Sequence, residues 1–171
     1  ERLERGLPDI SLAVSHEKDR LLDTGGGLRK ALPLLGTDPV LVMHADSFWL
    51  AGRDRPITRM IEAFSRGDAD AVLLCVLPDH AKGYLKGADF LLSEDSTISK
   101  TTGRPVVYAG AALIARGLAA EGPDVPFPLQ RHFEAARETG RLRGVAIATG
   151  WYHVGNPGAI ARTAQQIGEM V

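Results

Sequence analysis

The sequence contains one cysteine, Cys75, set inside the apolar run from Ala71 to Leu77. A lone thiol has no disulfide partner, and Cys75 has no neighbouring metal ligand. A disulfide-stapled scaffold is therefore excluded, and a reduced, cytoplasmic compartment is expected. Charge of one sign is also lacking: the formal net charge is -1 and no long stretch carries a single sign. That argues against a surface that coats nucleic acid, while leaving room for a local basic pocket that holds a phosphate. Long hydrophobic runs are missing too. The longest are strand-sized, so no membrane partner is expected, and nothing at the start reads as a secretory signal. What is there is the balance of an ordinary globular protein, 171 residues of which 44% are hydrophobic and 24% charged. That suits one domain with a core. The opening Glu1-Arg2-Leu3-Glu4-Arg5-Gly6 reads as the tail of a helix closed by glycine, and the first residue is not methionine. The expectation is a single domain over residues 1–171, truncated at its amino terminus.

Strand-like runs alternate with helical patterns, the signature of an α/β fold. Ile10 to Val14 predicts a first strand. Thr24 is a plausible N-cap for a helix that carries Leu28, Ala31, Leu32 and Leu35 on one face and ends at Gly36. Val40 to Met43 and Ala71 to Val76 are continuously apolar and predict strands buried on both faces. Between them, Pro56 opens a helix with Ile57, Met60, Ile61 and Phe64 inward. Phe90 to Ser93 and Thr97 to Ser99, separated by Glu94-Asp95-Ser96, predict a small antiparallel excursion. Further strands are expected at Val106 to Ile114 and Leu142 to Ala148. Helices are expected at Phe127 to Glu138 and Gly158 to Val171, the last capped by Asn156 and Pro157.

Three stretches could carry chemistry. In Asp23-Thr24-Gly25-Gly26-Gly27-Leu28-Arg29-Lys30, consecutive glycines between a loop and a helix could let a ligand approach the main chain closely; the competing reading is a flexible turn. The stretch is not a P-loop, because the spacing to Lys30 and the following Ser or Thr are wrong. In His44-Ala45-Asp46-Ser47 an acidic residue follows a buried strand. There it could hold a phosphate-bridging cation, or simply cap a turn. In Trp151-Tyr152-His153-Val154-Gly155-Asn156-Pro157, aromatic residues precede a helix start and could wall a pocket, with His153 either a ligand or a structural group.

Together these stretches resemble the sugar-1-phosphate nucleotidyltransferases. Leu22-Asp23-Thr24-Gly25-Gly26-Gly27-Leu28-Arg29-Lys30 is similar to that family's “E-T-G-G-G” base-binding stretch and its helix. Val106-Val107-Tyr108-Ala109-Gly110 and Trp151 to Pro157 follow in the family's order. The most similar subgroup contains bacterial N-acetylmuramate-1-phosphate uridylyltransferases and mannose-1-phosphate guanylyltransferase-like proteins. The resemblance implies a three-layer, Rossmann-like fold with a mixed, mostly parallel central sheet. It also implies transfer of a nucleotidyl group from a nucleoside triphosphate to a sugar-1-phosphate. Carried over by position, Asp46 is the catalytic carboxylate, and Thr24, Gly25, Gly26, His44 and Ala45 face the nucleotide. Tyr108 and Gly110 lie beside the sugar, and Asp46 with His153 holds Mg²⁺, or Mn²⁺ or Co²⁺ in its place.

The chain departs from the family's pattern at three points. His44-Ala45-Asp46 stands where “N-G-D” is usual, and His153 stands at the second aspartate of “W-x-D-V-G-T-P”. The opening “G-x-G-[ST]-R” loop has no counterpart. Histidine suits Mg²⁺ poorly, because that ion prefers hard oxygen donors. The alternative expectation is a non-catalytic member that binds nucleotide or sugar phosphate without turnover.

Overall fold

The computed structural model describes residues 11–50 and 54–168. Helix α1 (Asp23–Ala31) comes first, then β1 (Val40–Met43), β2 (Ser47–Trp49), α2 (Pro56–Phe64) and β3 (Ala71–Val76). Short strands β4 (Ala81–Lys82), β5 (Phe90–Leu92) and β6 (Ile98–Ser99) lead to the long β7 (Arg104–Ile114). Helices α3 (Arg116–Ala120) and α4 (Gln130–Glu138), strands β8 (Leu142–Ile147) and β9 (Trp151–His153), and helix α5 (Pro157–Gly168) complete it.

Side-chain alternation in β3 builds the middle of the molecule, where every residue from Ala71 to Val76 is buried. Ala71, Leu73 and Cys75 face one way and pack with Leu28, Ile114 and Phe133. Val72, Leu74 and Val76 face the other way and pack with Met60, Leu113 and Trp151. A strand covered on both faces has no position for polar residues, which is why its sequence is continuously apolar. Burying each of its large side chains contributes roughly 1.5–3 kcal/mol. The layers are therefore α1, α3 and α4 on one side, the sheet, and α2 with the short strands β2 and β9 on the other. This is the three-layer arrangement expected.

The large sheet runs β6-β5-β7-β3-β8, with β1 also on β7. It is mixed: β1, β3, β5 and β8 share one direction, while β7 and β6 run against them. β3 and β8 are parallel neighbours, and β7 is antiparallel to each of its partners. The expected excursion is the β5–β6 hairpin, which is fused to β7 and folds back over the sheet. It fits there because Gly144 has no side chain; a Cβ would lie 2.8 Å from both Ile98 Cδ1 and Leu92 Cδ1. On β1, Leu41 and Met43 are exposed, and β7 is its one strand partner among the described residues.

Several expectations change. Residues 11–14 form no strand and leave Leu12 and Val14 exposed; Ile10 and the Glu1–Gly6 helix tail lie outside the described residues. The glycine run sits within the first turns of α1, not ahead of it. Thr24 does not cap α1, because its hydroxyl accepts the Leu129 amide hydrogen at 2.8 Å. The α4 helix begins at Gln130, since Pro128 and Leu129 form the turn before it. A second sheet, β2-β9-β4, was not anticipated. Its strands of two or three residues are too short to show alternation. Among the described residues, no helix is long and apolar enough to cross a membrane.

Candidate active site

The site begins as a gap in the sheet. β3 runs along one edge of β7; on the other edge β5 pairs with Arg104–Val106 and β1 with Ala111–Ile114. Between them, residues 107–110 have no strand beside them on that edge among the described residues. The β3–β7 register also shifts there, between the pairs Leu73↔Ala112 and Cys75↔Tyr108. The bulge is centred on Gly110, whose φ of +76° is a left-handed conformation that side chains resist. A Cβ on Gly110 would also collide with Ser47 Oγ and come within 3.3 Å of His44 Cβ. The glycine thus admits the loop that leaves β1. His44 N donates to Gly110 O at 2.8 Å and turns that loop across the gap, with Asp46 at its crest.

The second sheet holds the other side of this loop. Ser47 pairs with His153, and Val154 N donates to Asp46 O at 2.8 Å. His153 Nε2 consequently lies 3.6 Å from Asp46 Oδ2, with both side chains part-exposed. Gly155 leaves space beside the pair, because a Cβ there would be 2.8 Å from His153 Cε1 and 3.6 Å from Asp46 Oδ2. Trp151 anchors the strand through its indole N–H, which donates to Ala109 O at 2.9 Å inside the core. Asn156 and Pro157 do open α5 as expected, with Asn156 Oδ1 accepting the Ala159 amide hydrogen at 2.9 Å.

Tyr108 forms the inner wall, edge-on to His44 at 5.5 Å and to Phe133 at 5.2 Å. Its hydroxyl and His44 Nε2 are both buried without a hydrogen-bond partner among the described residues. Orphaned buried polar atoms are costly, and binding sites are where they recur. Burial also drives the Tyr108 phenol well above its ordinary pKa, so it remains a neutral donor. Asp89 and Tyr84 complete this wall and were missed in the sequence, where neither sits in a motif. Asp89 accepts the Tyr108 amide hydrogen at 2.9 Å and the Tyr84 hydroxyl hydrogen.

These walls enclose a cavity of about 340 Å³ lined by Thr24, His44, Asp46, Tyr108, Gly110 and His153, among others. Three of the candidates lie elsewhere. Ala45 is exposed and outside the lining, and Gly25 and Gly26 are buried beneath Phe127. The amides of Gly25 and Gly26 both donate to Phe127 O, at 2.9 and 3.2 Å. They are not free to meet a ligand, and the glycines have a packing reason that the sequence did not disclose.

The donor set suits a divalent cation in part. A carboxylate oxygen and an imidazole nitrogen 3.6 Å apart can meet one ion. Among the described residues, no group of three or more His, Cys, Asp or Glu side chains could do so. The remaining ligands would have to be oxygens of a bound molecule or water. A wider cleft of about 630 Å³ lies between α2, β8 and the β5–β6 hairpin, and includes Arg59, Arg66 and Arg143. Arg143 is tied to Asp68 and Arg59 to Asp54, and none of the candidate residues reaches it.

No family model matches the chain. It is 33% identical over 151 residues to the N-acetylmuramate α-1-phosphate uridylyltransferase of Caulobacter vibrioides, an alignment covering 86% of this chain. The chain spans 62% of the length of that relative. Among solved structures, the inositol-1-phosphate CTP transferase from T. maritima superposes with a TM-score of 0.68 at 14% identity, covering 92% of this chain and 65% of that one. A UDP-glucose pyrophosphorylase complexed with UDP-glucose superposes at 0.65 with 10% identity, covering 89% of this chain and 64% of the other. At such identities these two structures establish the shared fold.

Proposed function

From the likeness to the Caulobacter uridylyltransferase, we propose that this chain belongs to the sugar-1-phosphate nucleotidyltransferase family and carries the acceptor and metal side of a site that forms a nucleotide-sugar. A phosphate oxygen of the sugar-1-phosphate attacks the α-phosphorus of a nucleoside triphosphate. The bond from that phosphorus to the β-bridging oxygen breaks, and pyrophosphate leaves with the electron pair. No side chain needs to become a covalent intermediate. The protein's part is to hold two polyanions in line and offset their repulsion. Bound Mg²⁺, or Mn²⁺ or Co²⁺, would supply charge neutralisation there.

The observation that carries this reading is the convergence of Asp46, His153, His44 and Tyr108 on one cavity at the break in the sheet. Asp46 and His153 would hold the cation. Tyr108 would face the sugar, its phenol a neutral donor, with His44 Nε2 able to pair with a ligand group. Thr24 borders the cavity from the α1 side, where the nucleotide would lie. Gly110, Gly25 and Gly26 contribute by admitting neighbouring chain: the loop with Asp46 in the first case, Phe127 in the second and Leu22 in the third. A cytoplasmic setting suits the buried free thiol of Cys75.

The test is pyrophosphate release with UTP, GTP, CTP and dTTP against several sugar-1-phosphates. The Caulobacter relative makes UTP with N-acetylmuramate-1-phosphate the first pair to try. Metal-dependent release with one pair and not the others is the expected result. Nucleotide or sugar-phosphate binding by calorimetry with no release for any pair would select the second reading, a non-catalytic binder. The imidazole of His153, where the family has a carboxylate, is the feature that favours that second reading.

A further inference from the structure

Asp89 occupies an unusual place in the sheet. Its amide N donates to Val106 O at 2.9 Å, as the last bond before the β5–β7 ladder ends. Its side chain then reaches one step further along the gap, where Oδ2 accepts the Tyr108 amide hydrogen at 2.9 Å. The carboxylate therefore takes the place that a strand carbonyl would hold, where among the described residues no strand pairs with β7. The Tyr108 N–H, on the gap edge of β7, gains a charged acceptor. Oδ1 is left to accept the hydroxyl hydrogen of Tyr84. Tyr84 in turn sets its ring edge-on to Trp151 at 5.9 Å and to His153 at 6.3 Å. One exposed carboxylate thus links the bulge of β7 to the second sheet across the cavity mouth. Asp89, Tyr108, Tyr84, Trp151 and His153 all line the cavity.

We propose that Asp89 is a positioning residue: it fixes Tyr108 through the backbone and Tyr84 through the hydroxyl, and so sets the wall that selects the sugar-1-phosphate. The inference rests on the reading that Tyr108 faces the sugar. It concerns one substrate and not the other, because these bonds and ring contacts run to β7 and β9 and none of them involves Thr24 or α1.

Asp89→Ala, Tyr84→Phe and the double variant would be compared with the parent protein. Expected is a rise of about tenfold in KM for the sugar-1-phosphate in Asp89→Ala, the loss of a bond to a charged group, with nucleotide KM within about twofold. Tyr84→Phe should move the same constant in the same direction. The double variant should be no worse than Asp89→Ala, since the two act through one link. Calorimetric affinity for the sugar-1-phosphate alone should fall in parallel. Equal changes in both substrates' KM, no change in either, or additive effects in the double variant would each overturn the proposal. If the parent binds sugar-1-phosphate without turnover and Asp89→Ala weakens that binding, the inference stands while the catalytic reading fails. If the parent turns over and Asp89→Ala leaves that KM unmoved, the catalytic reading stands while the inference fails. A parent that binds no sugar-1-phosphate overturns both.

Discussion

Gly25→Ala should unfold this protein more readily with no ligand present. A Cβ at Gly25 would lie 2.5 Å from Phe127 Cε2, 2.6 Å from Cδ2 and 2.9 Å from Phe127 O. One of those contacts is backbone, so a rotamer change alone cannot relieve the clash. Overpacking of this kind costs about 1–3 kcal/mol. Moving Phe127 also weakens the bonds from Gly25 N and Gly26 N to Phe127 O, together worth about 1–2 kcal/mol. Against this, alanine gains up to about 1 kcal/mol over glycine in a helix. The balance is a loss of about 1–4 kcal/mol, or roughly 3–12 °C in thermal midpoint for a domain of this size. Gly27 sits in the same helix, but there a Cβ would meet Glu17 Oε1, and the one bond at risk, from the Leu22 amide to Glu17 Oε2, is worth about 1 kcal/mol and is offset by alanine's gain in the helix. Gly27→Ala should therefore be near neutral. Gly26, whose Cβ would be 3.0 Å from Leu22 Cβ, should fall between. Chemical denaturation of the three variants gives the order. A Gly25→Ala variant as stable as the parent, or a Gly27→Ala variant that loses more, would refute this account of the glycine run.

Asp46→Asn keeps the shape of the loop but removes the charge, so turnover or metal-dependent binding should fall about a hundredfold or more, with the thermal midpoint nearly unmoved. A silent substitution would mean that Asp46 only shapes its turn. His153→Asp should shift metal preference from Mn²⁺ or Co²⁺ towards Mg²⁺, and an unchanged metal order in rate or binding would place His153 outside the metal site. His132 is 2% exposed, its Nε2 has no partner among the described residues, and burial lowers its pKa. Below the ordinary histidine value of about 6.5 the unfolded chain binds a proton that the folded chain refuses. Stability should therefore fall with acidity by up to about 1.4 kcal/mol per pH unit until the depressed folded value is reached. His132→Leu should flatten that limb in denaturation curves taken at a series of pH values, and an unchanged slope would count against it.

The central strand β3 was legible in the sequence because its residues are buried on both faces, and composition alone carries that signal; β1, equally apolar, was expected to be buried the same way, yet its Leu41 and Met43 are exposed. Ala71–Val76, with its continuous apolar run, predicted its own place in the centre. The place of Asp46 beside the cavity was legible too, since a polar residue shortly after an apolar strand marks that strand's end. The sequence likewise carried the order of the family's motifs, since order is a property of the chain. Tertiary structure alone decided what those motifs touch. No local pattern shows that Phe127, about a hundred residues away, closes over Gly25 and takes the glycine amides for its own carbonyl. Nor does any pattern mark Asp89, an acidic residue in a polar loop until β1 and β5 meet β7 at separate ends. The gap they leave gives its carboxylate an amide to hold. Spacing along the chain records which residues lie near one another in sequence, whereas the cavity is built by residues from α1, both sheets and α4, brought together when the apolar faces of β3 are covered.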